Sequence, residues 1–99
     1  MTRNDSAYES GERVFGPPVG TFDVEWVARD VERRTGTTLR DAQRGVAAAW
    51  LAARRSASLE HAVMTDAATA EGLPPETAQT LVAQIVAYCT AYDVDPAAR

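Results

Sequence analysis

All ten formally basic side chains of this chain are arginines, and four of them, Arg40, Arg44, Arg54 and Arg55, fall on one side of a single helix when residues are placed about 100° apart. They surround Ala47 and Leu51. A planar guanidinium offers a rigid fork of donors that fits carboxylate, phosphate or guanine, so the chemistry this pattern supports is recognition. Arginine and aromatic anchors around an apolar centre suit an acidic, partly apolar protein surface, and Phe22 and Trp26 are placed to extend the same site. The expected partner-binding set is therefore Arg40, Arg44, Leu51, Arg54, Arg55 and Trp26.

The residues that carry out bond chemistry are sparse. His61 is the only histidine, is expected to be exposed, and has only Glu60 beside it, which points elsewhere because adjacent helical residues do not face each other. Cys89 lies on an apolar helix face and reads as core rather than as a nucleophile. Asp93 and Asp95 lack the further oxygen ligands and the glycine of a calcium loop, and no HExxH or ExxH pair is present. The expectation is a protein that is not an enzyme, with no catalytic residue, metal or cofactor.

The elements that position the arginines follow from periodicity and caps. Asp23 or Thr21 can cap a helix running to about Arg34, with Val24, Val27, Ala28 and Val31 on one face and Glu25, Arg29 and Arg33 along another. On this reading Phe22 and Trp26 lie off the valine face, free for the N-terminal arm or a second subunit. A second helix begins after Thr38 and reaches about Arg55, its inner stripe Leu39, Ala42, Val46, Ala49, Trp50 and Ala53. Gly45 inside it predicts a close crossing by another helix. The third helix is predicted from a Ser58 cap to Gly72, with Leu59, Ala62, Val63, Ala67 and Ala70 inward. Pro74 and Pro75 preset a fourth helix to about Tyr92, burying Ala78, Leu81, Val82, Ile85, Val86 and Cys89. Tyr88 and Tyr92, one turn apart, are expected either to close the core with their hydroxyls in water or to meet a second copy. The prediction is an all-α, small four-helix domain over residues 21–95, read as two helix-turn-helix hairpins. A flexible, proline-containing arm over 1–20 precedes it, in which Val14 and Phe15 can fold back on the core, and a frayed tail over 96–99 follows.

A shift of 36 residues lays Val27, Asp30, Gly36, Ala42, Gln43, Val46 and Ala47 on Val63, Asp66, Gly72, Ala78, Gln79, Val82 and Ala83, seven identities in 21 positions. The pattern suggests a repeated hairpin. The second copy, DAATAEGLPPETAQTLVAQ, resembles the helix-turn-helix family in Ala68, Gly72, Leu73, Ala78 and Leu81. The resemblance implies a second helix entering the major groove, with Glu76, Thr77, Gln79 and Thr80 toward bases or backbone. That helix has no basic residue, however, and opens with an acid. The first hairpin has the charge, in Arg33, Arg34, Arg40, Gln43 and Arg44, but places Glu32 where the family prefers a small residue. DNA binding through Arg33, Arg34, Arg40, Gln43, Arg44, Thr77 and Gln79 is thus the alternative to protein contacts.

Composition sets the remaining bounds. The 99 residues provide one domain, and an apolar fraction of 45 % rich in alanine predicts a thin core that gains from burial against a copy of itself or another partner. A net charge of −4 argues against coating nucleic acid non-specifically. A single cysteine forms no internal disulfide, and MTRNDSAYESGER has neither the apolar run nor the cleavage site of an export signal. A cytoplasmic protein that does not enter membranes, most simply a homodimer, is expected.

Overall fold

A computed structural model describes residues 19–98. They form four helices, α1 Val24–Thr35, α2 Leu39–Ser56, α3 His61–Ala70 and α4 Pro75–Tyr92, and among the described residues there is no strand. Most of the predicted arm, including Val14, Phe15, Pro17 and Pro18, lies outside the described residues.

The local signals act as their chemistry requires. Asp23 accepts from the Trp26 amide at 3.0 Å and Thr38 from the Asp41 amide at 3.1 Å, so α1 and α2 each begin on a side chain that satisfies an otherwise orphaned donor. Gly36 ends α1 in the left-handed region at φ 77°, its amide bonded to the Glu32 carbonyl at 2.9 Å. Gly72 at φ 96° turns the chain after α3 in the same region, a conformation that costs glycine little. Pro75 starts α4, where its missing N–H has no intrahelical partner to lose.

The α3 region departs from the predicted hairpin. The helix starts at His61, Glu60 at its N-cap makes no side-chain bond, and the Ser58 cap is not formed; Ser56 Oγ instead donates to the Ser58 carbonyl. Met64 and Ala68 are its buried residues, whereas Ala62 and Ala70 are exposed and Leu59, Val63 and Ala67 are half-buried. Alanine and valine are abundant enough that periodicity alone leaves this helix's rotation open, and the large Met64 side chain takes the inner position.

The four helices form a closed arrangement. α2 and α4 meet at the centre, α1 and α3 each pack against both of them, and α1 does not touch α3. Val27 and Val31 of α1, Val46 and Ala49 of α2, Met64 of α3 and Leu81, Val82 and Ile85 of α4 fill the interior. Each fully buried large side chain contributes about 1.5–3 kcal/mol relative to exposure. No side-chain volume is spent at Gly45: a Cβ there would stand 2.8 Å from both Leu73 Cδ2 and Leu81 Cδ1. The nearest atoms are the tips of two leucine side chains, one from α4 and one from the turn before it, and not the backbone of a crossing helix.

The 36-residue register is visible in the backbone. Pro75 follows Leu39, and Tyr92 follows Ser56, by 36 positions, and both helices are 18 residues long. Each is closed by a non-glycine residue in the left-handed region, Ala57 at φ 54° and Asp93 at φ 57°, again 36 positions apart. The exchange of α1 with α3 and α2 with α4 leaves the pattern of helix contacts unchanged.

Candidate functional site

The outer face of α2 is where the sequence placed it. Arg40, Arg44, Ala47, Leu51, Arg54 and Arg55 are all exposed, and Leu51 keeps 50 % of its surface in contact with solvent. Buried positions on the opposite side, Ala42, Gly45, Val46, Ala49 and Ala53, hold the helix against the core and so fix which side faces out.

The four arginines are not equivalent. Arg44 pairs with Asp41 at 3.3 Å and lies 3.7 Å from a Glu71 carboxylate oxygen. It also donates to the Glu71 carbonyl at 2.9 Å, tying α2 to the end of α3. Arg54 donates to the Pro96 carbonyl at 2.9 Å and also to the Ala98 carbonyl. Of the tail predicted to fray, residues 96–98 are held by these bonds and by burial of Pro96. Among the described residues, Arg40 and Arg55 have no hydrogen bond or ion pair, and both are exposed. Of the remaining residues in the DNA-reading set, Arg33 and Arg34 both pair with Asp30, Gln43 and Thr77 are half-buried, and Gln79 is exposed.

Charge is divided between the two hairpins. Every arginine of the described residues lies on α1 or α2, whereas the chain from Ala57 to Ala98 has none and carries Glu60, Asp66, Glu71, Glu76, Asp93 and Asp95. The division opposes a basic stripe to an acidic half of the same molecule.

The aromatic residues are arranged differently from the sequence reading. Phe22 is not free: its ring stacks on Trp50 at 4.2 Å between centroids and 9° between planes, and meets Tyr88 edge-on at 5.2 Å. Nor does the Tyr88 hydroxyl sit in water. Tyr88 is 5 % exposed, its hydroxyl donates to the Thr21 carbonyl at 2.9 Å, and burial, with the Asp23 carboxylate nearby, pushes its pKa up to about 12. Trp26 belongs to a separate site, a groove of about 340 Å³ between α1 and α4 lined by Trp26, Arg29, Arg33, Gln84, Tyr88 and Tyr92, with no α2 residue among its walls. The i, i+4 spacing of Tyr88 and Tyr92 hinted at this groove, but the pairing of α1 with α4 that creates it had no local signature.

His61 is exposed at the start of α3. Cys89 is buried among core residues, and burial pushes its thiol up to about 11, the direction opposite to that of an activated nucleophile. Among the described residues, no group of three His, Cys, Asp or Glu side chains is placed to hold a metal ion, and no helix is long and apolar enough to cross a membrane. No protein-family model matches the chain, and neither a curated protein nor a solved structure matches it. The fold and surface define a class: a small all-α domain of two helical hairpins with a basic outer stripe.

Proposed function

We propose that this chain is a non-enzymatic, cytoplasmic binding or regulatory protein that acts through protein contacts on the outer face of α2. The observation that carries the reading is the half-exposed Leu51 on the same outer face as Arg55, one turn on, and Arg40, about 16 Å away along the helix, two arginines whose guanidinium groups have no partner among the described residues. An apolar centre with ionic donors at its rim suits an acidic protein surface. Arg44 and Arg54, already bonded within the domain, add positive potential and lesser direct contact. The acidic second hairpin of another copy meets the same requirement, which supports a homodimer, and charge complementarity of this kind speeds encounter and fixes orientation.

The test is sedimentation of the full chain at low and moderate salt, with identification by mass of the protein that co-purifies with it. Arg40→Glu with Arg55→Glu, and separately Leu51→Asp, are expected to weaken self-association or partner retention while leaving helicity intact. Unchanged association in both variants sinks the assignment of this face.

DNA binding is the second reading, favoured by Arg40, which has no partner among the described residues and stands in the first turn of α2, just after the Gly36 turn. It requires a salt-dependent shift of a specific duplex that weakens in Arg40→Ala and Gln43→Ala. Failure to enrich any sequence from a random duplex pool at moderate salt rules it out.

A further inference from the structure

The groove between α1 and α4 opens beside the place where the chain enters the domain. The Gly20 amide donates to the Tyr92 carbonyl at 2.7 Å, and the Thr21 carbonyl accepts from the Tyr88 hydroxyl at 2.9 Å. Both tyrosines are groove walls. Immediately before this anchor the sequence reads Glu12, Arg13, Val14, Phe15, Gly16, Pro17, Pro18, Val19.

We propose that this N-terminal segment of the same chain is the occupant of the groove, with Phe15 seated against Trp26 and Tyr92 and with Glu9 and Glu12 facing Arg29 and Arg33. The proposal concerns a different surface from the α2 stripe and stands or falls independently of it.

Reach, surface chemistry and tethering support it together. Five residues from Phe15 to Gly20 span up to about 17 Å, whereas Trp26 to Arg33 along α1 covers only about 10 Å, so the segment reaches every part of the groove. Trp26 leaves 37 % of its surface exposed, and an aromatic-walled groove is a common receptor for an extended segment containing proline. Pro17 and Pro18 restrict the backbone before docking and so reduce the entropy lost on ordering. Arg29 and Arg33, bonded to Glu25 and Asp30, keep outward N–H groups for the acids of the segment. A tether this short gives an effective concentration on the order of millimolar. A weak contact is therefore enough to fill the groove, and a free ligand must compete with the chain's own segment.

The experiment is NMR of the labelled full chain, comparing wild type with Phe15→Ala and with Val14→Ala, helicity being checked by circular dichroism. Cross-relaxation from the Phe15 ring to Trp26 and Tyr92 is expected. The Trp26 indole N–H resonance is expected to shift in Phe15→Ala while that of Trp50 stays in place. Absence of cross-relaxation, with an unmoved Trp26 resonance in both variants, overturns the proposal. So does cross-relaxation that occurs only between labelled and unlabelled copies in an equal mixture, because the occupant is then a second molecule's segment.

Discussion

Gly45 of α2 and Leu81 of α4 stand 36 positions apart, at matching places in the two hairpins, and one fills the space the other leaves empty. A Cβ on Gly45 would lie 2.8 Å from Leu81 Cδ1. The two central helices of a nearly symmetric arrangement approach each other here through an unsymmetric pair, glycine against leucine. A side chain at Gly45 requires the tips of Leu73 and Leu81 to shift.

Gly45→Val is therefore expected to destabilise the domain by about 1–3 kcal/mol through overpacking. Gly45→Ala costs less, because a gain in helix propensity of up to about 1 kcal/mol offsets part of the clash with two leucine tips. Urea unfolding monitored by circular dichroism gives both values. A valine variant as stable as the wild type contradicts the close packing at this position.

The arginines of α2 should separate into two classes. Arg40→Ala and Arg55→Ala are expected to leave stability within about 0.5 kcal/mol. Arg54→Ala, by releasing the Pro96 and Ala98 carbonyls, should speed hydrogen exchange at Ala97 and Ala98. Arg44→Ala should do the same around Glu71 and Gly72. The stability cost in each case is modest, up to about 1 kcal/mol, because these side chains are half in solvent. Identical exchange rates in all four variants argue against the two latches.

Ala57 closes α2 at φ 54° and is exposed, a left-handed backbone that costs an L residue roughly 1–2 kcal/mol. Ala57→Gly relieves this strain but adds freedom to the unfolded chain, so a net gain of about 0.5–1 kcal/mol is expected. Thermal unfolding reads it directly. A lower midpoint places Ala57 in ordinary helical backbone.

Alkaline pH should destabilise the domain through two overlapping titrations. The Cys89 thiol rises from 9.0 to about 11 and the Tyr88 phenol from 10.0 to about 12 in the folded state. In each case the unfolded chain loses its proton first. Stability is thus full below about pH 9 and declines as pH rises, Cys89 contributing between about 9 and 11 and Tyr88 between about 10 and 12, each on the order of 1–2 kcal/mol. Urea midpoints across this range should flatten at the lower end in Cys89→Ala and at the upper end in Tyr88→Phe. A decline that neither substitution changes assigns the transition to other groups.

The sequence by itself determined the number of helices and most of their ends. Asp23, Thr38, Gly36 and Pro75 act within one turn of where they stand, and the outward arginine stripe of α2 follows from 3.6-residue periodicity within a single helix. Its weakest reading was α3, where small apolar residues on several sides gave no single dominant face and Met64 took the interior. Tertiary structure alone decided that Phe22 stacks on Trp50, that Arg44 and Arg54 are engaged within the domain, and that Trp26 lines a groove with Tyr92 instead of extending the α2 stripe. The Tyr88 hydroxyl meets the Thr21 carbonyl across 67 positions of chain. No local propensity encodes such a pair, because it depends on which faces of α1 and α4 pack together, and that is set by filling one shared core.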